Sequence, residues 1–365
     1  MAPAEEPTNK RNLALIIPAH DEELVLAGTI LSALSAGAEL QDIYVVDDAS
    51  HDETRRVAVD ILDPANVITV PWSGKAKAIR QAITQFDIPS RYVWMHIADA
   101  DGHFGPGYFK CITSKLDPKY AAATGHVQSL KGGWISKYRV LEYTIGLEII
   151  RRIQAFFGVI AVIPGPSSVF RTDVLKHLDF ATGTLTEDMD LTFQIHRKHL
   201  GPILYIPEAK TFTQDPKDFH DYYRQLTRWY RGNFQVMRRH KIGRRGQRLD
   251  VYVSYVLLEQ LILMCELIIL PFSIWWSQNV SVVFVLFLSN LVLLFCITVW
   301  AAILNRRPDI LAAFPLFCIL QAVNIFVFMK AWYEVGLRGR FETVEPGWAT
   351  AGRRYVDTIS RSLAR

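Results

Sequence analysis

Short runs rich in apolar residues alternate with amphipathic segments over the N-terminal part of the chain. The apolar runs are 13–18, 42–48, 67–70 and 92–97, with proline or aspartate at or just after the end of each. Helical patterns lie between them, over 21–36, 52–60 and 75–86. Such runs predict buried strands. Their alternation with helices predicts an α/β fold with a doubly wound, parallel sheet.

A different pattern begins at residue 251. From Val251 to Leu304 the only charged residues are Glu259 and Glu266, and 310–329 contain none. Because a helix needs about 20 apolar residues to cross a bilayer, this region, 251–335, predicts C-terminal transmembrane helices. The three hydrophobic segments are 254–276, 280–304 and 310–333. Buried core helices of a soluble protein are the alternative, which the missing polar face disfavours.

Two amphipathic segments precede that region, at about 134–160 and 219–245. Basic residues near an apolar face predict helices that lie at a membrane interface. A surface helix packed on its own domain is the alternative for 134–160. Both segments belong to the predicted soluble domain, residues 1–250.

Charge predicts which side of the membrane this domain occupies. The net charge of +4 includes a basic cluster just before the first crossing. Its members are Arg238, Arg239, Lys241, Arg244, Arg245 and Arg248. Juxtamembrane basic residues favour the cytosolic face and contact anionic membrane lipid, so we expect no nucleic-acid partner. Residues 1–12 lack the apolar core of a signal peptide. The expectation is a multi-pass protein of the plasma (inner) membrane with a cytosolic catalytic domain. The basic tail, 336–365, also favours the cytosol, whereas three crossings would place it outside.

Polar clusters follow three of the predicted strands. They are 18–22, Asp47-Asp48 and Asp99-Ala100-Asp101. Ligands of open α/β sheets bind at the carboxyl ends of the strands, so we expect one site there. Asp99 and Asp101 suit Mg²⁺ or Mn²⁺, which would neutralise a leaving diphosphate. Solvated turn residues are the alternative.

Asp47 and Asp48 can accept hydrogen bonds from ribose hydroxyls or a base N–H. Helix capping is the alternative, although Ser50 or Asp52 could fill that role. Lys75 opens a helix, where it can reach a phosphate. The surrounding residues do not form a P-loop.

Two later motifs offer a base and a diphosphate ligand. Asp188, after Thr186-Glu187, can act as general base on an acceptor hydroxyl, or belong to the acidic first turn of a helix over 187–199. Gln225, Arg228 and Trp229 share one helix face, where Arg228 can pair with diphosphate and Trp229 with a sugar ring. A structural amphipathic helix is the alternative.

In this order, the motifs resemble the inverting, processive-type family 2 glycosyltransferases, which include cellulose, chitin, hyaluronan and poly-N-acetylglucosamine synthases. The resemblance covers 13–250 and implies a GT-A fold, Rossmann-like with a mostly parallel sheet. It implies that ten residues contact the nucleotide sugar: Pro18, Ala19, His20, Glu22, Asp47, Asp48, Lys75, Asp99, Ala100 and Asp101. Asp21 stands where asparagine is common in the family.

The resemblance further implies that Asp188 is the catalytic base. It places Glu187, Gln225, Arg228 and Trp229 near the diphosphate and acceptor. Pro164–Arg171 resembles the loop that lines the sugar site, and Phe341–Pro346 loosely resembles a gating segment.

The expected function is transfer of a sugar from a nucleotide sugar, UDP-linked, to a growing polysaccharide. Three hydrophobic segments are few for a polymer channel within one subunit, so a homo-oligomer, or single transfer to a lipid acceptor, stays open. A third alternative is a catalytically degenerate membrane binding module.

Overall fold

The computed structural model describes residues 10–181, 183–277 and 280–339. They form two compact units. The sheet unit comprises 10–130 and 151–214, and the helical unit comprises 131–150 and 215–339. The polar N-terminal residues 1–9, the segment Phe341–Pro346 and all but the first residues of the tail 336–365 lie outside the described residues.

One eight-stranded sheet runs through the sheet unit, in the order β3-β2-β1-β4-β7-β6-β8-β5. The strands are β1 (Arg11–Ala19), β2 (Ile43–Asp48), β3 (Val67–Val70), β4 (Tyr92–Ile97), β5 (His103–Phe104), β6 (Ala122–Ser129), β7 (Ser168–Arg171) and β8 (Ile203–Thr213). β3, β2, β1 and β4 are parallel neighbours. The predicted doubly wound arrangement is therefore confirmed for this half of the sheet.

The other half of the sheet is mixed, so four of the seven described strand pairs are parallel and three are antiparallel. β7 is antiparallel to β4 and β6, and β5 is antiparallel to β8, although β6 and β8 are parallel. Helices still separate β5 from β6, β6 from β7 and β7 from β8, but β7 enters the sheet in the direction opposite to its neighbours β4 and β6. No crossover is needed for such an antiparallel pair, so the sheet is mixed.

Twelve α-helices are described along the chain. They are α1 (Leu26–Ser35), α2 (Thr54–Val59), α3 (Lys75–Gln85), α4 (Ile88–Arg91), α5 (Tyr108–Thr113), α6 (Trp134–Tyr143), α7 (Arg151–Phe157), α8 (Glu187–Arg197), α9 (Phe219–Arg239), α10 (Arg248–Ser277), α11 (Val280–Leu304) and α12 (Phe314–Ala331). A π-helix, Thr144–Ile150, separates α6 from α7, so the amphipathic segment at 134–160 is divided among three elements. α1 begins five residues later than expected, because His20–Val25 form a loop.

Side chains of the sheet enter two separate apolar cores, one on each face. Ile16 packs into the core that contains Ile79 of α3. Its neighbour Ile17 packs into the opposite core, with Ile30 of α1. Because both faces are covered, successive strand residues are all apolar, which explains the uninterrupted runs in the sequence. The carboxyl ends of β1, β2 and β4 consequently share one edge.

The helical unit contains the long C-terminal helices. Length and hydropathy together single out no individual helix of the described residues as a membrane span. Two consecutive helical segments, Pro308–Phe317 and Ile319–Leu337, are together long and apolar enough for a span, with a bend of 54° between them.

Candidate active site

Lys75 lies among acidic side chains at the carboxyl edge of the sheet. Its Nζ is 2.6 Å from Asp99 Oδ1 and 3.1 Å from Glu187 Oε1. The side chains are 23%, 27% and 21% exposed, so they are sheltered but reachable from solvent. Burial by itself would lower the pKa of Lys75, but Asp99, Glu187 and Asp188 outweigh it and raise that pKa. The lysine is therefore a permanent cation at this edge.

The turn before Lys75 is held by the carboxylate of Asp48. One oxygen accepts hydrogen bonds from Ser73 N at 2.8 Å and Ser73 Oγ at 3.1 Å, and the other accepts from Gly74 N at 2.8 Å. Gly74 has a φ of 81°, a conformation that favours glycine. The sequence predicted Asp48 as a nucleotide ligand. It did not predict these hydrogen bonds within the protein, which orient the first residue of α3.

Asp47 is also engaged within the protein. Its carboxylate accepts hydrogen bonds from Ser50 N at 3.1 Å and Thr69 Oγ1 at 3.0 Å. Asp52 accepts from Thr54 N at 3.0 Å, at the start of α2. The N-cap position itself is Glu53, which makes no side-chain capping bond, so Asp52 supports the start of α2 from one residue further back.

The turn that carries Asp99 and Asp101 is fixed by backbone contacts. Thr29 Oγ1 donates to the carbonyl oxygen of Ala100 at 2.5 Å, and Gly102 N donates to Asp99 O at 3.0 Å. Asp101 is 4% exposed. Two carboxylates at one turn are a donor set for a hard divalent cation. Asp99 also accepts the Lys75 ammonium at 2.6 Å, so this turn already accommodates positive charge, and its oxygen donors are of the kind that Mg²⁺ and Mn²⁺ prefer.

The loop that the sequence assigned to the sugar approaches these charges closely. A Cβ added to Gly165 would lie 3.0 Å from Asp99 Oδ1 and 3.1 Å from Lys75 Nζ. Only glycine leaves that space open. Pro164–Arg171 therefore contributes backbone, rather than a side chain, at this point.

A buried polar chain supports the same loop, and sequence reasoning missed it. His96 Nε2 is 2.7 Å from the hydroxyl of Tyr108, which is 2.7 Å from Ser167 Oγ. Ser167 Oγ also accepts from Gly125 N at 2.8 Å. Burial lowers the pKa of His96 to about 3, so the imidazole is neutral. The only signal in the sequence was a histidine within an apolar strand.

Glu187 and Asp188 begin α8, so the acidic first turn that the sequence suggested is present. Asp188 Oδ1 accepts a hydrogen bond from Met189 N at 2.8 Å, and its side chain is partly buried. Glu187 meanwhile pairs with Lys75. This turn is therefore both the start of α8 and part of the charged cluster around Lys75. The two alternatives given for Asp188, a general base and a member of an acidic first turn, do not exclude each other.

The first loop of the sheet unit is tied to β2 and α2. His20 Nδ1 is 2.8 Å from the carbonyl oxygen of Asp48, and Glu22 N donates to Thr54 Oγ1 at 2.8 Å. Pro18 and Ala19 are buried at the end of β1. All ten residues expected to contact the nucleotide sugar lie at the carboxyl edge of β1, β2 and β4, or at the start of α3.

Gln225, Arg228 and Trp229 belong to the helical unit, on α9. Arg139, from α6, donates to Gln225 Oε1, and its guanidinium carbon lies 4.7 Å from the Trp229 ring centre. Glu142 accepts from Arg139 Nη1 at 2.7 Å. Although burial opposes its charge, this carboxylate raises the pKa of Arg139. Gln225 and Trp229 therefore both contact Arg139, a partner that the sequence did not predict.

Asn324 of α12 is the centre of a polar cluster in the helical unit. Its Nδ2 is 3.0 Å from the hydroxyl of Tyr138 and 2.7 Å from that of Tyr222, and its Oδ1 accepts from Tyr230 at 3.2 Å. Burial and the nearby Glu142 raise the pKa of Tyr138 and Tyr222. Three protonated tyrosines thus meet one amide in a mainly apolar helix.

Comparison with known proteins identifies the family. Residues 10–232 match the model of the family described as Glycosyltransferase like family 2. The chain belongs to this glycosyltransferase family.

Its curated relatives include polysaccharide synthases. The poly-beta-1,6-N-acetyl-D-glucosamine synthase of Staphylococcus aureus (strain COL) is 24% identical over 258 residues, covering 68% of this chain and 61% of the relative. The synthase of the same description from Staphylococcus epidermidis is 25% identical over 234 residues, covering 62% of this chain and 56% of the relative. The chain therefore matches less than two thirds of the length of each.

A solved structure supports the fold assignment. The mannosyltransferase PcManGT from Pyrobaculum calidifontis, in complex with GDP-Man and Mn²⁺, aligns with a TM-score of 0.59 at 17% identity. The alignment covers 86% of this chain and 88% of that one. Together with the family match, it confirms a GT-A fold of the Rossmann-like type, with a mixed sheet.

We predict that Asp48→Ala destabilises the protein even without a ligand. The substitution removes three hydrogen bonds to a buried carboxylate, and bonds to charged groups each contribute about 1.5–3 kcal/mol. Denaturant unfolding without nucleotide should show a loss of about 3 kcal/mol or more. Asp173→Asn, at an exposed aspartate, is the control and should unfold as wild type. Unchanged unfolding of Asp48→Ala would refute the structural role.

Proposed function

We propose that the chain is a membrane-integrated, metal-dependent inverting glycosyltransferase. It transfers a sugar from a UDP-linked nucleotide sugar to a growing polysaccharide. The location is the plasma (inner) membrane, with the sheet unit in the cytosol. Partners are the nucleotide sugar, a saccharide acceptor, membrane lipid and further copies of the chain.

The convergence of Lys75, Asp99 and Glu187 carries this proposal. A fixed cation beside a carboxylate pair, at the edge of an α/β sheet where ligands bind, suits a nucleotide diphosphate and a divalent ion together. The ion pairs of 2.6 and 3.1 Å join the start of α3 to the turn after β4 and the start of α8. In a family 2 glycosyltransferase, such a site supports recognition of the donor's diphosphate.

Individual roles follow from position. Pro18, Ala19, His20, Glu22 and Asp47 form the nucleotide end of the site. Asp48 acts there mainly by holding the turn that presents Lys75. Ala100 lies between the two metal-binding aspartates. The motif of Gln225, Arg228 and Trp229 adds, on sequence grounds, contacts to the diphosphate and the acceptor, together with Glu187.

Asp188 acts as the general base in the proposed reaction. Its carboxylate takes the proton of an acceptor hydroxyl, whose oxygen bonds to the anomeric carbon as the bond from that carbon to the diphosphate breaks. Attack opposite the leaving group inverts the anomeric configuration. Lys75 and Arg228 stabilise the negative charge that develops on the diphosphate. Mg²⁺ or Mn²⁺ held by Asp99 and Asp101 would supply further charge neutralisation.

Exposed apolar side chains support membrane integration. Large hydrophobic residues on α10, α11 and α12 lack cover within the helical unit, and many are more than half exposed: Val251 67%, Tyr255 63%, Phe284 60%, Val285 61%, Leu293 61%, Ile303 73%, Ile319 60% and Phe326 58%. Apolar surface on this scale marks a membrane or protein contact. Lipid is the partner that best suits long helices with so few charged side chains.

An apolar groove favours the second candidate function, transfer of one sugar to a lipid acceptor. The groove has a volume of about 710 Å³ within the helical unit. It is lined by Phe219, Tyr223, Ile319, Ala322, Val323 and Phe326. Lys330 Nζ, 3.1 Å from the hydroxyl of Tyr223, places a cation at this lining. A lipid phosphate with an apolar chain would match both features.

Product size distinguishes the two candidates. The purified chain in lipid vesicles is incubated with radiolabelled UDP-N-acetylglucosamine, UDP-glucose or GDP-mannose, and the products are separated by size. We expect a ladder or a polymer from one UDP-sugar. A single organic-soluble product would instead establish lipid transfer, and incorporation from GDP-mannose alone would contradict the UDP-linked donor.

Asp188→Asn tests the catalytic base. The amide cannot take the proton, so kcat should fall by about 10²–10⁴-fold. Donor binding, measured by calorimetry, should change little. Asp60→Asn, at an exposed aspartate away from the site, is the matched control and should retain full activity. Wild-type turnover by Asp188→Asn would rule out the assignment.

Metal removal tests the roles of Asp99 and Asp101. Turnover should stop in EDTA and return with Mg²⁺ or Mn²⁺. Asp101→Asn should raise the metal concentration for half-maximal activity by about tenfold or more, because it removes one charged ligand. Full activity in EDTA would defeat the metal proposal.

A further inference from the structure

Three potential metal ligands converge at the rim of the sheet unit, apart from Asp99 and Asp101. His20 and Asp21 lie in the loop after β1, and His51 lies in the loop after β2. One ligand atom from each lies within 4.8 Å of the other two. His20 Nε2 is 3.4 Å from Asp21 Oδ2, and His51 Nδ1 is 3.9 Å from the same oxygen.

The orientation of the His20 ring determines which of its two nitrogens faces Asp21. Its Nδ1 is 2.8 Å from the carbonyl oxygen of Asp48. A carbonyl oxygen can only accept a hydrogen bond, so Nδ1 carries a proton, and in the neutral ring Nε2 carries a lone pair. That lone pair faces the Asp21 carboxylate at 3.4 Å. A proton on Nε2 or a metal cation can bridge these two atoms, and the nearby ligand atom of His51 favours the metal.

Asp21 is also held in place. Its Oδ1 accepts from His51 N at 2.8 Å, and its own N–H donates to Ser50 Oγ at 3.0 Å. Metal-binding histidines and carboxylates characteristically have their remaining polar atoms fixed by such outer hydrogen bonds. The side chain of His51 is 86% exposed. It can therefore turn toward a bound ion without repacking of the core.

The donor set indicates which ion would bind. Two imidazole nitrogens and one carboxylate oxygen suit Zn²⁺, whereas Mg²⁺ and Mn²⁺ prefer oxygen ligands alone. Zn–N and Zn–O bonds of about 2.0–2.1 Å in a tetrahedral site require ligand atoms roughly 3.3 Å apart. The Nε2–Oδ2 separation of 3.4 Å already has this value. Three protein ligands leave the fourth position for water.

We propose that His20, Asp21 and His51 bind one Zn²⁺ and that this ion inhibits the enzyme by competing with the nucleotide sugar. The second half of the proposal rests on the proposed function, which assigns His20 to the nucleotide end of the site. His20 Nε2 cannot bind zinc and contact the nucleotide at once. The Trp72 ring, 4.5 Å from the His20 ring, lies at the same rim.

Calorimetric titration of the full-length chain with Zn²⁺ tests the site directly. Saturating Mg²⁺ is present to occupy Asp99 and Asp101. We expect one Zn²⁺ per chain, with affinity lowered by about tenfold or more in His51→Ala and in Asp21→Asn. His177→Ala, which removes another exposed histidine, is the matched control and should bind as wild type.

Two results would overturn the site. One is the absence of stoichiometric Zn²⁺ binding, which would leave a proton between His20 and Asp21. The other is equal affinity in wild type and His51→Ala. Because His51 is exposed, its variant should unfold at the wild-type midpoint without zinc, so loss of binding would not reflect misfolding.

A second titration tests the competition. Zn²⁺ should weaken UDP binding to the wild-type chain, with little effect on His51→Ala. Equal UDP affinity with and without bound zinc would refute the inhibitory role while leaving the metal site intact. Failure of the chain to bind any nucleotide at all would instead contradict the proposed function.

Discussion

The site depends on the attraction between the Lys75 ammonium and the carboxylates around it. Asp99 and Glu187 come from distant parts of the chain, and Asp188 adds a third negative charge beside them. Without a cation, these carboxylates would repel one another in a sheltered pocket, where charge interactions are stronger than in water. Asp48 fixes the turn before α3 and so helps to direct the lysine toward these carboxylates. One buried carboxylate therefore helps to determine where the positive charge lies, and that charge allows the acidic residues to approach each other.

The sequence predicted the parts of the fold that leave a periodic signal. Uninterrupted apolar runs identified β1 to β4, because strands covered on both faces have no polar side. It also predicted that the ten candidate ligands of the nucleotide sugar lie at one edge of the sheet, since the ends of parallel strands meet there. It did not predict the mixed half of the sheet, where the short strands β5 and β7 carry little pattern. Nor did it reveal the partners of Asp48, Arg139 or Ser167, because contacts between distant residues leave no trace in local spacing.

The helical unit places a strongly polar cluster inside apolar sequence. Asn324 is one amide among the hydrophobic residues of α12, yet three tyrosine hydroxyls surround it. Asn324 is partly buried, and a polar group removed from water is stable only when its hydrogen bonds are satisfied. α6, α9 and α12 are consequently joined by directional bonds as well as by apolar packing. Arg139 extends this polar region to Gln225 and Trp229, so two residues of the family motif are held by a side chain of their own unit while staying only partly buried.

Gly165 limits the substitutions that this pocket can accept. The space beside Lys75 and Asp99 is bounded there by main chain, with no side chain to shorten. Any substitution adds at least a methyl group within 3.0 Å of the Asp99 carboxylate. Mutation at this position can therefore only narrow the pocket. A bulkier group at this point is accommodated by a shift of the Asp99 and Lys75 side-chain ends, because the loop is held by Ser167, which ties it to Tyr108 and, through it, to the buried His96 of β4.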